Sequence, residues 1–127
     1  MSTRALVLCV EDNVPNFALV RKVLEATGRY EVERAATAAE ALAALEQGRY
    51  ALILLDLDLP DRSGIEVAKA VRADPRLCDV PIVAVSASVL KHERTQAMEA
   101  GCVAFVEKPF DIDEFRQVVD RAAAPAT

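Results

Sequence analysis

The sequence predicts one α/β domain in which a parallel β-sheet is covered by helices on both faces. Short apolar runs, typical of buried strands, alternate along the chain with segments whose apolar residues recur at helical spacing. Five segments of each kind occur, and the connections between them are short. A chain of 127 residues, 53% of them hydrophobic, has the length of one domain and enough apolar side chains for a core. We therefore expect a single domain over residues 1–127, with its core within 4–123.

The first third of the chain predicts two strands and a helix between them. Residues 5–10 form an apolar run bounded by acidic residues, as expected for a strand buried on both faces. Apolar side chains then recur three or four positions apart from Phe17 to Leu24, and Gly28 follows where a left-handed helix cap is needed. The alternation of charged and apolar residues over 31–35 predicts a short strand at an edge of the sheet.

The second helix and the third strand continue the pattern. Thr37 and Glu40 have the spacing of a capping box, which predicts a helix that begins here and ends at Gly48. Residues 51–55 predict a buried strand, which the acidic, proline-containing segment 56–61 ends.

The C-terminal half predicts three helices and two strands. Ser63 begins a helix that ends before Pro75, and strands are predicted at 81–87 and 102–107. The helix predicted between them, at 91–100, has the weakest amphipathic pattern, so its packing should be the loosest. The last helix follows from the spacing of Ile112, Phe115, Val118, Val119 and Ala122.

Charge and composition argue against several classes of protein. The formal charge of −5 repels nucleic-acid phosphates and anionic lipids, and the absence of Trp leaves little surface for stacking bases. The apolar runs are far shorter than the roughly 18 residues that span a bilayer. We therefore expect neither nucleic acid nor membrane as a partner.

Cysteine usage indicates a reducing environment. Cys9, Cys78 and Cys102 are an odd number without a close pair, so neither a disulfide framework nor a CxxC metal motif is present. No cleavable signal is recognisable, because acidic residues follow the short N-terminal apolar run. We expect a cytoplasmic protein in which Cys9 and Cys102 are buried.

Polar side chains stand at the ends of four predicted strands. Glu11 and Asp12 follow the first strand, Asp56 the third, Ser86 the fourth and Lys108 the fifth. Ligands of open α/β sheets bind outside the carboxyl ends of the strands. If strands one, three, four and five are neighbours, we expect these side chains to converge in one shallow pocket, with three carboxylates facing one hydroxyl and one ammonium group.

This set of groups is suited to phosphoryl chemistry. Three carboxylates held together repel each other, and a bound hard cation removes that cost; Mg²⁺ fits best because it prefers oxygen ligands and phosphates. With the ion bound, Asp56 can attack phosphorus as a nucleophile and form an acyl phosphate. Lys108 would neutralise one phosphoryl oxygen, and Ser86 would hydrogen-bond another.

Four short elements occur in order at these strand ends: Glu11-Asp12, the segment 56–64 (DLDLPDRSG), Ser86-Ala87 and Lys108-Pro109. Together they resemble the receiver domain of two-component response regulators, over essentially the whole chain. The resemblance implies a flavodoxin-like fold with a sheet of order 2-1-3-4-5. It also implies that Asp56 accepts a phosphoryl group from a sensor histidine kinase or a histidine phosphotransfer protein.

The same resemblance implies roles for individual residues. Mg²⁺ would be held by Glu11, Asp12, Asp56 and the backbone carbonyl group of Asp58. Ser86 would reach toward the phosphoryl group, and Phe105 would change rotamer with it. Asp58 and Ser88 stand where the family tunes the lifetime of the phosphate.

Plainer interpretations exist for single residues. The pair Glu11-Asp12 could be only a turn that begins a helix, where acidic groups favour the helix dipole. Phe105 alone would be a core aromatic residue. We interpret Asp61 as a solvated loop acid and His92, within a charged run, as facing solvent.

Two other functions remain open at this point. The residues Asp56 and Asp58 also resemble the DxD motif of haloacid-dehalogenase-type phosphatases, in which the first Asp is the nucleophile and the second the general acid. That motif follows the first strand of its fold, whereas here it follows the third. The second alternative keeps the fold without its chemistry, as a constitutive interaction module.

The segment after Lys108 has room for one helix, so we expect a stand-alone receiver domain that acts by docking to a downstream protein. Phosphorylation of Asp56 should draw Ser86 inward, let Phe105 bury and reshape the surface of the fourth helix, fifth strand and fifth helix. Such a protein is a phosphoacceptor switch that catalyses only its own phosphorylation and dephosphorylation.

Overall fold

The computed structural model describes residues 4–87, 91–108 and 111–123. Strands and helices alternate strictly: β1 (Ala5–Val10), α1 (Val14–Glu25), β2 (Tyr30–Ala35), α2 (Ala38–Gln47), β3 (Leu52–Asp56), α3 (Gly64–Ala73), β4 (Ile82–Ser86), α4 (Lys91–Glu99), β5 (Ala104–Glu107) and α5 (Ile112–Ala123). The five strands form one parallel sheet in the order β2-β1-β3-β4-β5. The predicted fold class, strand order and edge position of β2 are confirmed.

Two apolar layers cover the sheet, one on each face. On one face Leu52 and Leu54 of β3 pack against α1 and α5, where Phe115 is fully buried. On the other face Ile53 and Leu55 pack against α2, α3 and α4. Successive residues of a strand point to opposite faces, so β3 supplies both layers in turn. The continuous apolar run of the sequence is the consequence of this two-sided burial.

Local sequence signals fix the helix ends. The side chains of Asn13, Thr37 and Ser63 accept hydrogen bonds from backbone N–H groups in the first turns of α1, α2 and α3. These bonds satisfy donors that a helix start leaves free. Gly28 has a φ of 75°, the left-handed conformation that its position after α1 predicts, and Gly48 ends α2.

The region around α4 departs from the prediction in detail. Strand β5 begins at Ala104 rather than at residue 102. Cys102 is buried, but its N–H donates to the carbonyl group of Ala97, so it belongs to the turn that ends α4. Ala97 is the one buried residue of α4, and its apolar neighbour Met98 is 45% exposed. The weak amphipathic pattern therefore corresponds to a helix with a single buried anchor.

Cys9 is buried in β1, as predicted, and Cys78 is half-buried. Among the described residues, no helix combines the length and the apolar character that crossing a membrane requires.

Candidate functional site

Four neighbouring strands bring the predicted residues to one edge of the sheet. Strands β1, β3, β4 and β5 are adjacent and parallel, so their carboxyl ends share the same rim. Glu11 and Asp12 follow β1, while Asp56 and Ser86 are the last residues of β3 and β4. Lys108 follows β5. The structure thus places all five residues at one rim of the sheet.

Three carboxylates form a compact cluster at this rim. One oxygen from each of Glu11, Asp12 and Asp56 lies within 4.8 Å of the others. Glu11 is 5% exposed and Asp56 4% exposed, whereas Asp12 is exposed to solvent. The cluster therefore has two buried members and one open side.

The ammonium group of Lys108 connects the two buried carboxylates. Its Nζ lies 2.7 Å from Oε1 of Glu11 and 3.1 Å from Oδ2 of Asp56, and its side chain is 18% exposed. Burial alone would lower the pKa of Lys108, but the hydrogen bond to Glu11 and the charge of Asp56 outweigh it, so the pKa is raised. Lys108 is a fixed positive charge in the site.

Asp56 is held at both of its carboxylate oxygens. The backbone N–H of Asp58 donates to Oδ1 at 2.8 Å, while Lys108 donates to Oδ2. Burial, with the adjacent Glu11 carboxylate, raises the pKa of Asp56, although the Asp58 N–H and Lys108 act in the opposite direction. A bound cation would stabilise two such neighbouring carboxylates, because it offsets their negative charges.

The side chains of Ser86 and Asp58 contact each other outside the carboxylate cluster. Ser86 is fully buried, and its Oγ donates to Oδ2 of Asp58 at 3.4 Å. The Asp58 side chain is itself exposed, and the carboxylate cluster does not include it. Ser88 and Pro109 lie outside the described residues.

The β3–α3 loop folds back on the end of β3. The N–H of Gly64 donates to the carbonyl group of Leu57 at 3.0 Å, and Asp58 pairs with Ser63 in an antiparallel bridge. A Cβ atom on Gly64 would overlap the carbonyl oxygen of Asp56 and lie 2.9 Å from Cα of Leu57. Residue 64 must be glycine for the loop to approach this closely, a role that its place in the motif did not reveal.

The interpretation of Asp61 as a solvated loop acid is confirmed for its exposure, but it leaves out the contacts of its carboxylate. Its carboxylate is exposed, but it accepts hydrogen bonds from the backbone N–H groups of Ala38 at 2.9 Å and Ala39 at 3.1 Å. These amides begin α2, so Asp61 caps a helix that lies earlier in the chain. The bond from Ala38 is the main reason that the pKa of Asp61 is lowered.

Phe105 and His92 lie on the α4 side of the molecule. Phe105 is half-buried against the layer of α2, α3 and α4, and the Arg94 guanidinium carbon lies 5.6 Å from its ring centroid. This placement is compatible with a ring that changes its burial. His92 is exposed, as predicted.

Comparison with known proteins agrees with this geometry. Residues 7–120 match the family described as the response regulator receiver domain. The polar-differentiation response regulator DivK of Brucella anthropi is 37% identical over 113 residues, which cover 89% of this chain and 91% of the relative.

Solved receiver domains have the same fold. The receiver domain of sensor histidine kinase PA1611 from Pseudomonas aeruginosa, with a magnesium ion in its active site cleft, has a TM-score of 0.86 and 31% identity, covering 94% of this chain and 98% of its own. The chemotaxis response regulator CheY4 of Vibrio cholerae has a TM-score of 0.88 and 30% identity, covering 94% and 99%. The fold is therefore flavodoxin-like, as the resemblance implied.

These findings argue against the haloacid-dehalogenase-type phosphatase, because the DxD motif of that fold follows its first strand, whereas here Asp56 ends β3. Receiver domains are phosphoacceptor switches of two-component signalling rather than turnover enzymes. From the match over residues 7–120, the strand order and the site, we conclude that this chain belongs to the receiver-domain family of response regulators.

Proposed function

We propose that this chain is a cytoplasmic response regulator whose receiver domain, over residues 7–120, accepts a phosphoryl group on Asp56 in a Mg²⁺-dependent reaction. The donor is the phosphohistidine of a sensor histidine kinase or a histidine phosphotransfer protein. The observation that carries the proposal is the position of the Asp56 carboxylate, buried between the ammonium group of Lys108 and the carboxylates of Glu11 and Asp12.

The carboxylate cluster fits a magnesium ion by its chemistry. Its donors are oxygen atoms, its two buried acids share one Lys108 ammonium group, and exposed Asp12 leaves the cluster open to solvent. Glu11, Asp12, Asp56 and the backbone carbonyl group of Asp58 would hold the ion. When bound, Mg²⁺ neutralises the carboxylates and the charge on the phosphoryl oxygens.

The protein's own residues perform the transfer. A carboxylate oxygen of Asp56 attacks phosphorus, the new P–O bond forms as the P–N bond to the donor imidazole breaks, and that nitrogen keeps the electron pair and is reprotonated by solvent. The Asp58 N–H on Oδ1 of Asp56 fixes the carboxylate plane for this attack. Lys108 would pair with a phosphoryl oxygen, and Ser86 would donate to another after turning from Asp58, which places two donors around the transferred group.

The output is a change in docking. As Ser86 turns from Asp58 to the phosphoryl group, Phe105 becomes more deeply buried and the face of α4, β5 and α5 changes shape. The helices of this face each expose an apolar side chain, since Met98 on α4 is 45% and Ile112 on α5 46% exposed. A downstream protein that binds this face would therefore distinguish the phosphorylated form from the unphosphorylated form.

Phosphorylation by acetyl phosphate with Mg²⁺ tests the proposal. The wild-type chain should gain one acid-labile phosphoryl group, detected as a mass increase, whereas Asp56→Asn should gain none. Asp79→Asn, which changes an exposed acid elsewhere, serves as the matched control and should label normally. Label retained by Asp56→Asn would place the acceptor at another residue. An unlabelled wild type would favour the interaction module, and repeated turnover of p-nitrophenyl phosphate would favour a phosphatase.

A further inference from the structure

Arg34, near the end of edge strand β2, contacts the loop that carries two of the three clustered carboxylates. Its Nε donates to the backbone carbonyl oxygen of Glu11 at 3.1 Å, and its Nη2 donates to that of Asp12 at 2.9 Å. The guanidinium carbon also lies 5.8 Å from the ring centroid of Phe17 on α1, within the range of a cation–π contact. One side chain therefore joins β2, the β1–α1 loop and α1.

The two carboxylates of this loop differ in how they are held. The Glu11 carboxylate accepts hydrogen bonds from Lys108 and from the N–H of Asn13. No hydrogen bond or ion pair to the Asp12 carboxylate occurs within residues 4–87, 91–108 and 111–123. The position of the Asp12 carboxylate thus depends on its own backbone, which Arg34 fixes with a rigid planar fork.

We propose that Arg34 is a positioning residue for the cation site: it fixes the β1–α1 loop so that the Asp12 carboxylate stays beside Glu11 and Asp56. The inference rests on the proposed function, because Mg²⁺ is the ion that this site would take. Groups that orient metal ligands from outside typically contribute about 10–100-fold to metal affinity. Nothing in the sequence around residue 34 indicates this role, since its partners lie more than twenty residues away.

The charge of Arg34 should weaken Mg²⁺ binding, whereas its hydrogen bonds to the loop should strengthen it. A guanidinium group near the cluster repels a cation, so its removal would tighten Mg²⁺ binding if charge were the main effect. Loss of the two hydrogen bonds would weaken Mg²⁺ binding if positioning were the main effect. Arg34→Lys keeps the charge and loses the planar fork, whereas Arg34→Ala loses both. The sign of the change in affinity therefore separates the two roles.

The experiment is a calorimetric titration of the full chain with MgCl₂. We expect both Arg34→Lys and Arg34→Ala to bind Mg²⁺ about tenfold more weakly than the wild type. Arg29→Ala is the matched control, because Arg29, just before the start of β2, also makes a side-chain hydrogen bond, to Asp120, and its guanidinium carbon lies 5.9 Å from the Tyr30 ring centroid. Its affinity should equal that of the wild type. Amide hydrogen exchange at Asp12 and Asn13 in magnesium-free protein should be faster in both Arg34 variants only.

The outcomes distinguish this inference from the proposed function. Unchanged affinity in Arg34→Lys, or tighter binding in Arg34→Ala, would overturn the positioning role while the proposed function stands. An equal loss in Arg29→Ala would also overturn it, because the effect would then reflect general destabilisation. If the wild type binds no Mg²⁺, both the inference and the magnesium dependence of the proposed function are wrong.

Discussion

Oδ1 of Asp61 accepts a hydrogen bond from the backbone N–H of Ala38 at 2.9 Å, and this contact ties the β3–α3 loop to the first turn of α2. The same loop directly follows Asp56, so the cap of one helix also holds the segment after the proposed phosphoacceptor in place. We expect Asp61→Ala to lower the midpoint of urea unfolding, because two amides at the start of α2 lose their acceptor. Asp79→Ala, an exposed control, should have the wild-type midpoint.

The Asp61 cap should also depend on pH. Its pKa is lowered in the folded protein, mainly by the Ala38 N–H, so its stabilising effect is complete above the ordinary Asp pKa and is lost as the pH falls through the lowered value. The difference between wild type and Asp61→Ala should therefore shrink in acid. A difference that stays constant down to low pH would contradict a charged cap.

Magnesium should stabilise the fold through the carboxylate cluster. At free Mg²⁺ about a hundredfold above the dissociation constant, we expect the free energy of unfolding to rise by about 2.7 kcal/mol. Asp12→Asn removes one carboxylate from the open side of the cluster and should lose most of this increase. Thermal unfolding with and without MgCl₂ measures both, and equal gains in the two proteins would exclude Asp12 as a ligand.

Replacement of Lys108 should separate cation binding from phosphoryl transfer. Lys108→Met leaves the buried Glu11 and Asp56 carboxylates without their shared donor, so the magnesium-free protein should lose about 1–3 kcal/mol of stability. The uncompensated negative charge should make Mg²⁺ bind more tightly. Acetyl phosphate labelling should nevertheless slow, because a phosphoryl oxygen loses its positive partner. A variant that labels at the wild-type rate would contradict the role of Lys108.

Gly64→Ala should disturb the loop after Asp56. The added Cβ would overlap the Asp56 carbonyl oxygen, and moving the backbone apart should cost about 1–3 kcal/mol. In the control Gly48→Ala, the nearest atom is Cε2 of the Tyr50 ring at 3.0 Å, which can move aside at lower cost. Urea unfolding of the two variants tests this order, and a larger loss in Gly48→Ala would reverse it.

The ionisation of the two tyrosines, Tyr30 and Tyr50, at alkaline pH tests how far their phenol groups are buried. Burial and hydrogen bonds to the carboxylates of Asp120 and Glu33 raise the pKa values of Tyr30 and Tyr50 to about 12. Their contribution to stability is complete below the unfolded pKa of about 10 and is lost as the pH rises toward 12. Ultraviolet absorbance should show phenolate forming near pH 12 in the native protein and near 10 in urea. Native midpoints near 10 would show that the phenols are solvated.

The sequence was sufficient to predict which side chains meet at the rim of the sheet. Asp56 and Ser86 each end a buried apolar run, and Lys108 follows another, so the rule that parallel strands share their carboxyl edge puts them on the same edge of the sheet. Their closeness along that edge depends on the strand order that the resemblance implied. The order of the sheet and the edge position of β2 followed from the resemblance and from the charged alternation within β2.

Contacts that a loop makes with a distant helix or strand could not be predicted in this way. Asp61 reaches Ala38 across 23 residues and Arg34 reaches Glu11 across 23, and no local periodicity relates such positions. Gly64 belongs to the recognised motif, yet its steric role exists only once the loop lies on the backbone of Asp56. The start of β5 was misplaced because Cys102 is as apolar and buried as a strand residue while it bonds to the end of α4.

The alternation of side chains along the central strands has a consequence for how one added group could act on the whole molecule. Asp56 is at an alternate position to Leu52 and Leu54, so it lies on the face of the sheet that packs against α1 and α5. Ser86 is at an alternate position to Ile82 and Ala84, so it lies on the face that packs against α2, α3 and α4. The side chains of Asp56 and Ser86 thus belong to rows on opposite faces of the sheet. A phosphoryl group in contact with both residues would link the two faces at the rim of the sheet. The helices on one face would then move together with those on the other.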